Sequence, residues 1–163
     1  MFGDARSVGT MTTTVIAPVA GRAVALGDVP DPVFAQGMVG YGAAIDPPRE
    51  VITAVAPVSG RLLKLMPHAF VVLTTDNVGV LVHLGLDTVG LDGEGFTAHL
   101  QQGEQVHAGQ PVITFDVPAI VAKGLDPIVP VVVMDEREAA NISVTATLDA
   151  PIGAGDDLFV SSR

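Results

Sequence analysis

Short valine-rich runs recur along the chain, and eighteen glycines and twelve prolines punctuate them. Runs of this kind, closed by turn residues at intervals of about ten positions, predict an all-β protein. The expected strands are Thr14–Ile16, Arg22–Ala25, Ala43–Asp46, Val51–Thr53, Arg61–Lys64, Ala69–Leu73, Val78–His83, Pro111–Asp116, Val129–Val133 and Ile142–Thr147. Two short helices are expected as well. One runs over Thr97–Gln102 before Gly103; the other spans Pro118–Lys123, opened by proline and closed by Gly124. The fold class is therefore all-β, a compact antiparallel β-sandwich or barrel with one or two short helices. Residues 1–12 read as a flexible leader, and 13–163 as a single domain.

One pattern occurs twice. Ala17-Pro18-Val19-Ala20-Gly21 returns as Ala56-Pro57-Val58-Ser59-Gly60, and each copy is followed by arginine and an apolar run. Proline withholds a ladder donor and glycine permits a sharp change of direction. The repeat is read as one structural device used twice. The stretch Gly103–Gly109 is a further turn of structural character.

Candidate chemistry concentrates in the run from His68 to Thr88. Two apolar segments, each carrying one histidine, flank Thr74-Thr75-Asp76-Asn77, which has hairpin-turn composition. If Leu73 faces Val78, then His68 faces His83, with Cβ atoms roughly 4.5–5.5 Å apart on one face of the sheet. Two imidazoles can divide a reaction: one attacks an electrophile while the other donates to the oxygens being moved. A satisfied pair of core histidines is the bland alternative. Zinc is the rival chemistry, but a typical site takes at least three protein ligands, and no HExxH motif exists to complete one. No intrinsic metal is expected; zinc shared across an interface by His68 and His83 stays open.

Composition narrows the field. A net charge of −10 with no basic cluster argues against nucleic acid. The absence of cysteine excludes disulfide and thiol chemistry and makes a cytoplasmic location the default. No apolar run reaches membrane-spanning length, so no membrane insertion is expected. There is no G-x-S-x-G, no Walker loop and no dinucleotide fingerprint, and no cofactor is implied. His99 and His107 read as surface residues. The initial methionine and short ends favour a free-standing domain.

The run His83-Leu-Gly-Leu-Asp87-Thr88-Val-x-Leu-x-Gly93-Glu-Gly95-Phe96 resembles the glucose-type IIA component (EIIA) of the bacterial sugar phosphotransferase system. The resemblance extends to Asp28-Val-Pro-Asp31-Pro-Val33-Phe34, Ala56–Gly60, His68-Ala-Phe70, Gly103-x-x-Val-x-x-Gly109 and Phe115-Asp-Val-Pro118, and so covers about residues 14–148. It implies a phosphocarrier that takes a phosphoryl group from the histidine of HPr and passes it to a cysteine on the IIB domain of a sugar permease. His83 matches the phosphoryl acceptor, and His68 the histidine that supports the group. Asp87 matches an acidic residue expected to meet a basic residue of HPr. Asp31, Val33, Phe34 and Val39 match a docking loop. A monomer is expected. One departure stands out. Many members have threonine two residues before the first histidine, where this chain has Met66; Thr88 or a backbone group is the candidate replacement.

Two other classes share parts of this pattern. A biotinyl- or lipoyl-type carrier is also a small β-sandwich, but it displays lysine at a hairpin tip, and Lys64 and Lys123 lack that setting. A regulatory, non-transferring β-sandwich of the same fold is the other alternative.

Overall fold

The structure is a computed structural model that describes residues 11–162. In chain order the strands are β1 (Thr12–Ile16), β2 (Gly21–Ala25), β3 (Gly40–Asp46), β4 (Val51–Val55), β5 (Gly60–Met66), β6 (Ala69–Leu73), β7 (Gly79–His83), β8 (Phe96–Ala98), β9 (Gln105–Val106), β10 (Pro111–Asp116), β11 (Val129–Met134), β12 (Ile142–Val144), β13 (Pro151–Ile152) and β14 (Asp157–Ser162). Two short α-helices, α1 (Pro32–Ala35) and α2 (Val117–Ala122), and three single 3-10 turns complete the described residues.

Eight strands form one sheet in the order β13-β2-β3-β11-β7-β6-β5-β9, and two three-stranded sheets run β4-β10-β8 and β1-β14-β12. Their pairings are antiparallel. The main core lies between the large sheet and the two small ones. Phe70, Val72, Val80, Val82, Val131 and Val133 meet Val15, Ile113, Phe115, Leu158 and Phe159 there. The expected antiparallel sandwich is what forms.

The large sheet is also covered on its other face. Ala69, Val71, Leu81 and Val132 alternate with the core residues and pack under Leu26, Val29, Phe34 and Leu86. Burial on both faces explains why β6, β7 and β11 read as continuous apolar runs rather than alternating ones. His83 ends β7 on this second face, beside the helix that covers it.

The repeated Ala-Pro-Val-x-Gly motif is structural, and its two copies bond to each other. The Ile16 N–H donates to Pro57 O (3.0 Å), and the Val55 N–H donates to Pro18 O (2.8 Å). Each copy ends in a glycine that opens a strand of the large sheet. A Cβ on Gly21 would lie 2.2 Å from Asp46 O, and one on Gly60 2.2 Å from Leu73 O. Close approach of the neighbouring strand is what requires glycine there.

Three expectations are corrected. Residues 97–102 do not form a helix: Phe96–Ala98 is β8, paired with Phe115–Ile113 of β10. Phe96 packs on Phe115 with ring centroids 5.4 Å apart, and this tertiary pairing outweighs the local helical preference. The strand expected to continue to Thr147 stops at Val144. Helix α1 was not foreseen, although Asp31-Pro32 is a good opening pair: the Asp31 carboxylate accepts from the Val33 N–H at 2.9 Å, and proline fits the first helical position. The expected helix at 118–123 is α2, capped by Asp116. Of the expected leader, residues 1–10 lie outside the described residues, and Thr12 already pairs with Ser162 in β1.

Candidate functional site

The His68–His83 hairpin forms, in a register one residue away from the expected one. Leu73 faces Gly79, not Val78, and His83 faces Ala69, not His68. The cause is the turn. Asn77 takes a left-handed conformation (φ 64°), its N–H donates to Thr74 O, and Thr74 N–H donates to Val78 O. The loop thus has three residues instead of four, a common hairpin closure with the last loop residue left-handed.

The histidines still meet. β5 and β6 are joined by Pro67 and His68 alone, with Met66 paired to Ala69. His68 is therefore a turn residue, free of the alternation that would send a strand residue to the other face. Its ring lies 5.1 Å from that of His83, edge to face at 73°. Ala69, directly across from His83, contributes only a methyl group and leaves room for the second ring. His68 is 8% exposed.

Three contacts orient His83. The carbonyl oxygen of Gly85 lies 2.6 Å from its Nδ1. A carbonyl can only accept, so the neutral ring carries its proton on Nδ1 and keeps the Nε2 lone pair free. Gly85 has φ +84°, and an added Cβ there would press on Thr88 at 2.7 Å, so the carbonyl is aimed by a backbone that favours glycine. Phe34 of α1, itself buried, lies 5.2 Å from the His83 ring at 57°. The third contact is His68. The Gly85 carbonyl was not among the expected site groups; the His-x-Gly spacing is the signal that carried it.

Burial, above all, pulls the His83 pKa below the usual 6.5; the Gly85 bond and the carboxylates of Asp31 and Asp87 oppose it. His68 is lowered too, by burial first and by the charge of His83 second. Both rings are neutral at pH 7. A neutral imidazole with its Nε2 lone pair free is a nucleophile, and its neutral neighbour keeps one N–H to donate.

The other expected residues fall on two connections, the one between β2 and β3 and the one after β7. Asp31 caps α1, Val33 is 44% exposed, and Val39 is half-buried beyond that helix. Phe34 is buried against His83 and is a wall of the site more than a rim. Asp87 is exposed, sits in a left-handed conformation (φ 59°), and makes no capping bond with its side chain. Thr88 does not fill the place left by Met66: it is 1% exposed and donates its hydroxyl proton to Leu84 O at 2.9 Å. Among the described residues, no three or more His, Asp or Glu side chains gather to hold a metal ion.

Comparison with known proteins assigns the chain to a family. Residues 13–139 match the family model of the phosphoenolpyruvate-dependent sugar phosphotransferase system, EIIA 1. The glucose-specific EIIA component of Oceanobacillus iheyensis is 42% identical over 137 residues, covering 81% of this chain and 82% of that protein. The glucose-specific EIIA component of Bacillus anthracis is 36% identical over the full length of both. A mannose-specific EIIBCA component of Corynebacterium glutamicum is 43% identical over 128 residues, which are 78% of this chain and 19% of that larger protein. Glucose permease IIA from Mycoplasma capricolum superposes with a TM-score of 0.81 at 32% identity, covering 92% of this chain and 96% of that one. A chain so matched along its length belongs to the EIIA 1 family of the sugar phosphotransferase system, and is an EIIA phosphocarrier component of a glucose-type phosphotransfer relay.

Proposed function

We propose that His83 is the residue that carries the phosphoryl group. The observation that supports this best is the Gly85 carbonyl, 2.6 Å from Nδ1, which leaves Nε2 as the free nucleophilic nitrogen. Nε2 attacks the phosphorus of phosphohistidine on HPr. The new P–N bond forms as the old one breaks, and the HPr ring regains its lone pair. A cysteine thiolate of the IIB domain then takes the group from His83 by the same kind of in-line displacement. Little other covalent chemistry is asked of the protein.

His68 is the supporting residue in this reading. Its ring has no hydrogen-bond partner among the described residues and stands 5.1 Å from His83, where an N–H can meet the oxygens of the transferred group. Phe34 and the packed second face limit water at the site, and so limit hydrolysis of the phosphohistidine. Asp31, Asp87, Val33 and Val39 form the charged and apolar surroundings that a partner meets. The carboxylates face the partner's basic side chains, not the phosphoryl oxygens, which they would repel. The protein acts as a cytoplasmic monomer between HPr and IIB, and the sugar is selected by the permease it serves.

The test is incubation with enzyme I, HPr and labelled phosphoenolpyruvate. Wild type takes up acid-labile, base-stable label, and His83→Ala takes none. Label on His83→Ala equal to wild type would remove the assignment.

A further inference from the structure

Met66 pairs with Ala69, and Ala69 pairs with His83. Residues paired across antiparallel strands point to the same face. Met66, Ala69 and His83 therefore occupy one row of positions on the face that carries His83, with the small Ala69 as the strand residue between the other two. Met66 is 39% exposed. It is a long, flexible side chain next to the turn that holds His68, exposed enough for small oxidants to reach the residue.

We propose that Met66 is an oxidative modification site that controls phosphoryl transfer; the proposal rests on the reading of His83 as acceptor. A hydroperoxide transfers one oxygen atom to the thioether: the O–O bond breaks, sulfur gives two electrons and becomes the sulfoxide, and water (or an alcohol) leaves. The change turns an apolar, flexible group into a strong hydrogen-bond acceptor with a negative oxygen. That oxygen competes for the N–H of His68, which has no partner among the described residues. It also sets the negative end of the S–O dipole beside the place where the phosphoryl oxygens arrive. Both effects slow transfer, and reduction of the sulfoxide reverses them.

The experiment treats the full chain with hydrogen peroxide and follows two readouts in parallel. Mass spectrometry locates added oxygen, and labelling through phosphorylated HPr measures the initial rate. The expected result is a sulfoxide at Met66, a rate lowered roughly tenfold, the order of one hydrogen bond diverted from the phosphoryl group, and recovery on treatment with methionine sulfoxide reductases. Met66→Leu, which has no oxidisable sulfur, should keep its own starting rate through the same treatment, whereas Met38→Leu should lose rate like wild type. A sulfoxide at Met66 with an unchanged rate overturns the proposal, as does no oxidation at Met66, or a Met66→Leu variant as sensitive as wild type. Unoxidised wild type that accepts no phosphate would instead remove the acceptor reading, and this proposal with it.

Discussion

The Nδ1 atom of His83 and the carbonyl oxygen of Gly85 stand 2.6 Å apart, and the bond decides which nitrogen of the ring is free. The neutral ring should be the Nδ1–H tautomer, and phosphate should reside on Nε2. Two-dimensional ¹⁵N–¹H spectra of the imidazoles distinguish the tautomers before phosphorylation and locate the P–N bond after it. Phosphate on Nδ1 would show that the Gly85 bond breaks during transfer.

Both imidazoles should titrate below 6.5, the ordinary histidine value, because burial penalises their charged forms. The unfolded chain then binds protons more readily than the folded one. Stability from this source is complete above the unfolded value of 6.5 and is lost as pH falls from there through the two lowered folded values. Histidine Hε1 shifts against pH give the two values, and urea midpoints across the same range should fall with acidity. A midpoint that rises as pH drops below 6 would contradict the sign.

His68→Ala removes the supporting ring and leaves the Gly85–His83 bond in place. The variant should still accept phosphate on His83 but pass it to IIB more slowly, by about 100-fold, the lower end for loss of a positioned proton donor. Single-turnover transfer from the phosphorylated variant to IIB measures this. Full onward transfer would strip His68 of its role.

Phe34→Ala should cost about 3–5 kcal/mol of stability, the usual range for a buried phenylalanine, and should speed hydrolysis of the phosphohistidine. Phe34 is 6% exposed and packs on the His83 ring, so its loss opens a path for water to the site. Denaturation curves report the first effect, and the half-life of isolated phosphoprotein reports the second.

Much of the fold was legible because its strands are bounded by glycine and proline. The central runs at Ala69–Leu73 and Val129–Val133 read directly as buried strands. What was lost is informative. A three-residue loop and a four-residue loop look alike in Thr74–Asn77, and one left-handed residue, Asn77, shifted the whole ladder. The histidine pair survived that error for a reason spacing could not supply: His68 lies in a turn, where strand alternation no longer governs its direction. Segment 97–102 went the other way. Its local preference was helical, and only the distant Phe115 draws Phe96 into a strand. The orienting carbonyl of Gly85 is a backbone group with no letter of its own, and the only mark it leaves in the sequence is a glycine two positions after His83.

The reciprocal bonds between the two Pro-Val turns have a wider meaning. Ile16 and Val55 exchange bonds with Pro57 and Pro18, and the same kinship runs through the large sheet to the pair Val82–Val131 at its middle. A half-rotation about that pair carries each half of the sheet onto the other. It takes His83, which faces Ala69, to Val132, which faces Gly42. The chain is thus approximately symmetric in its backbone and asymmetric in its chemistry. One position opens at the end of a strand and bears a reactive ring; its twin stays inside the strand and is sealed by valine. A carrier that must hand a single group from one partner to the next has, in this arrangement, only one hand to offer.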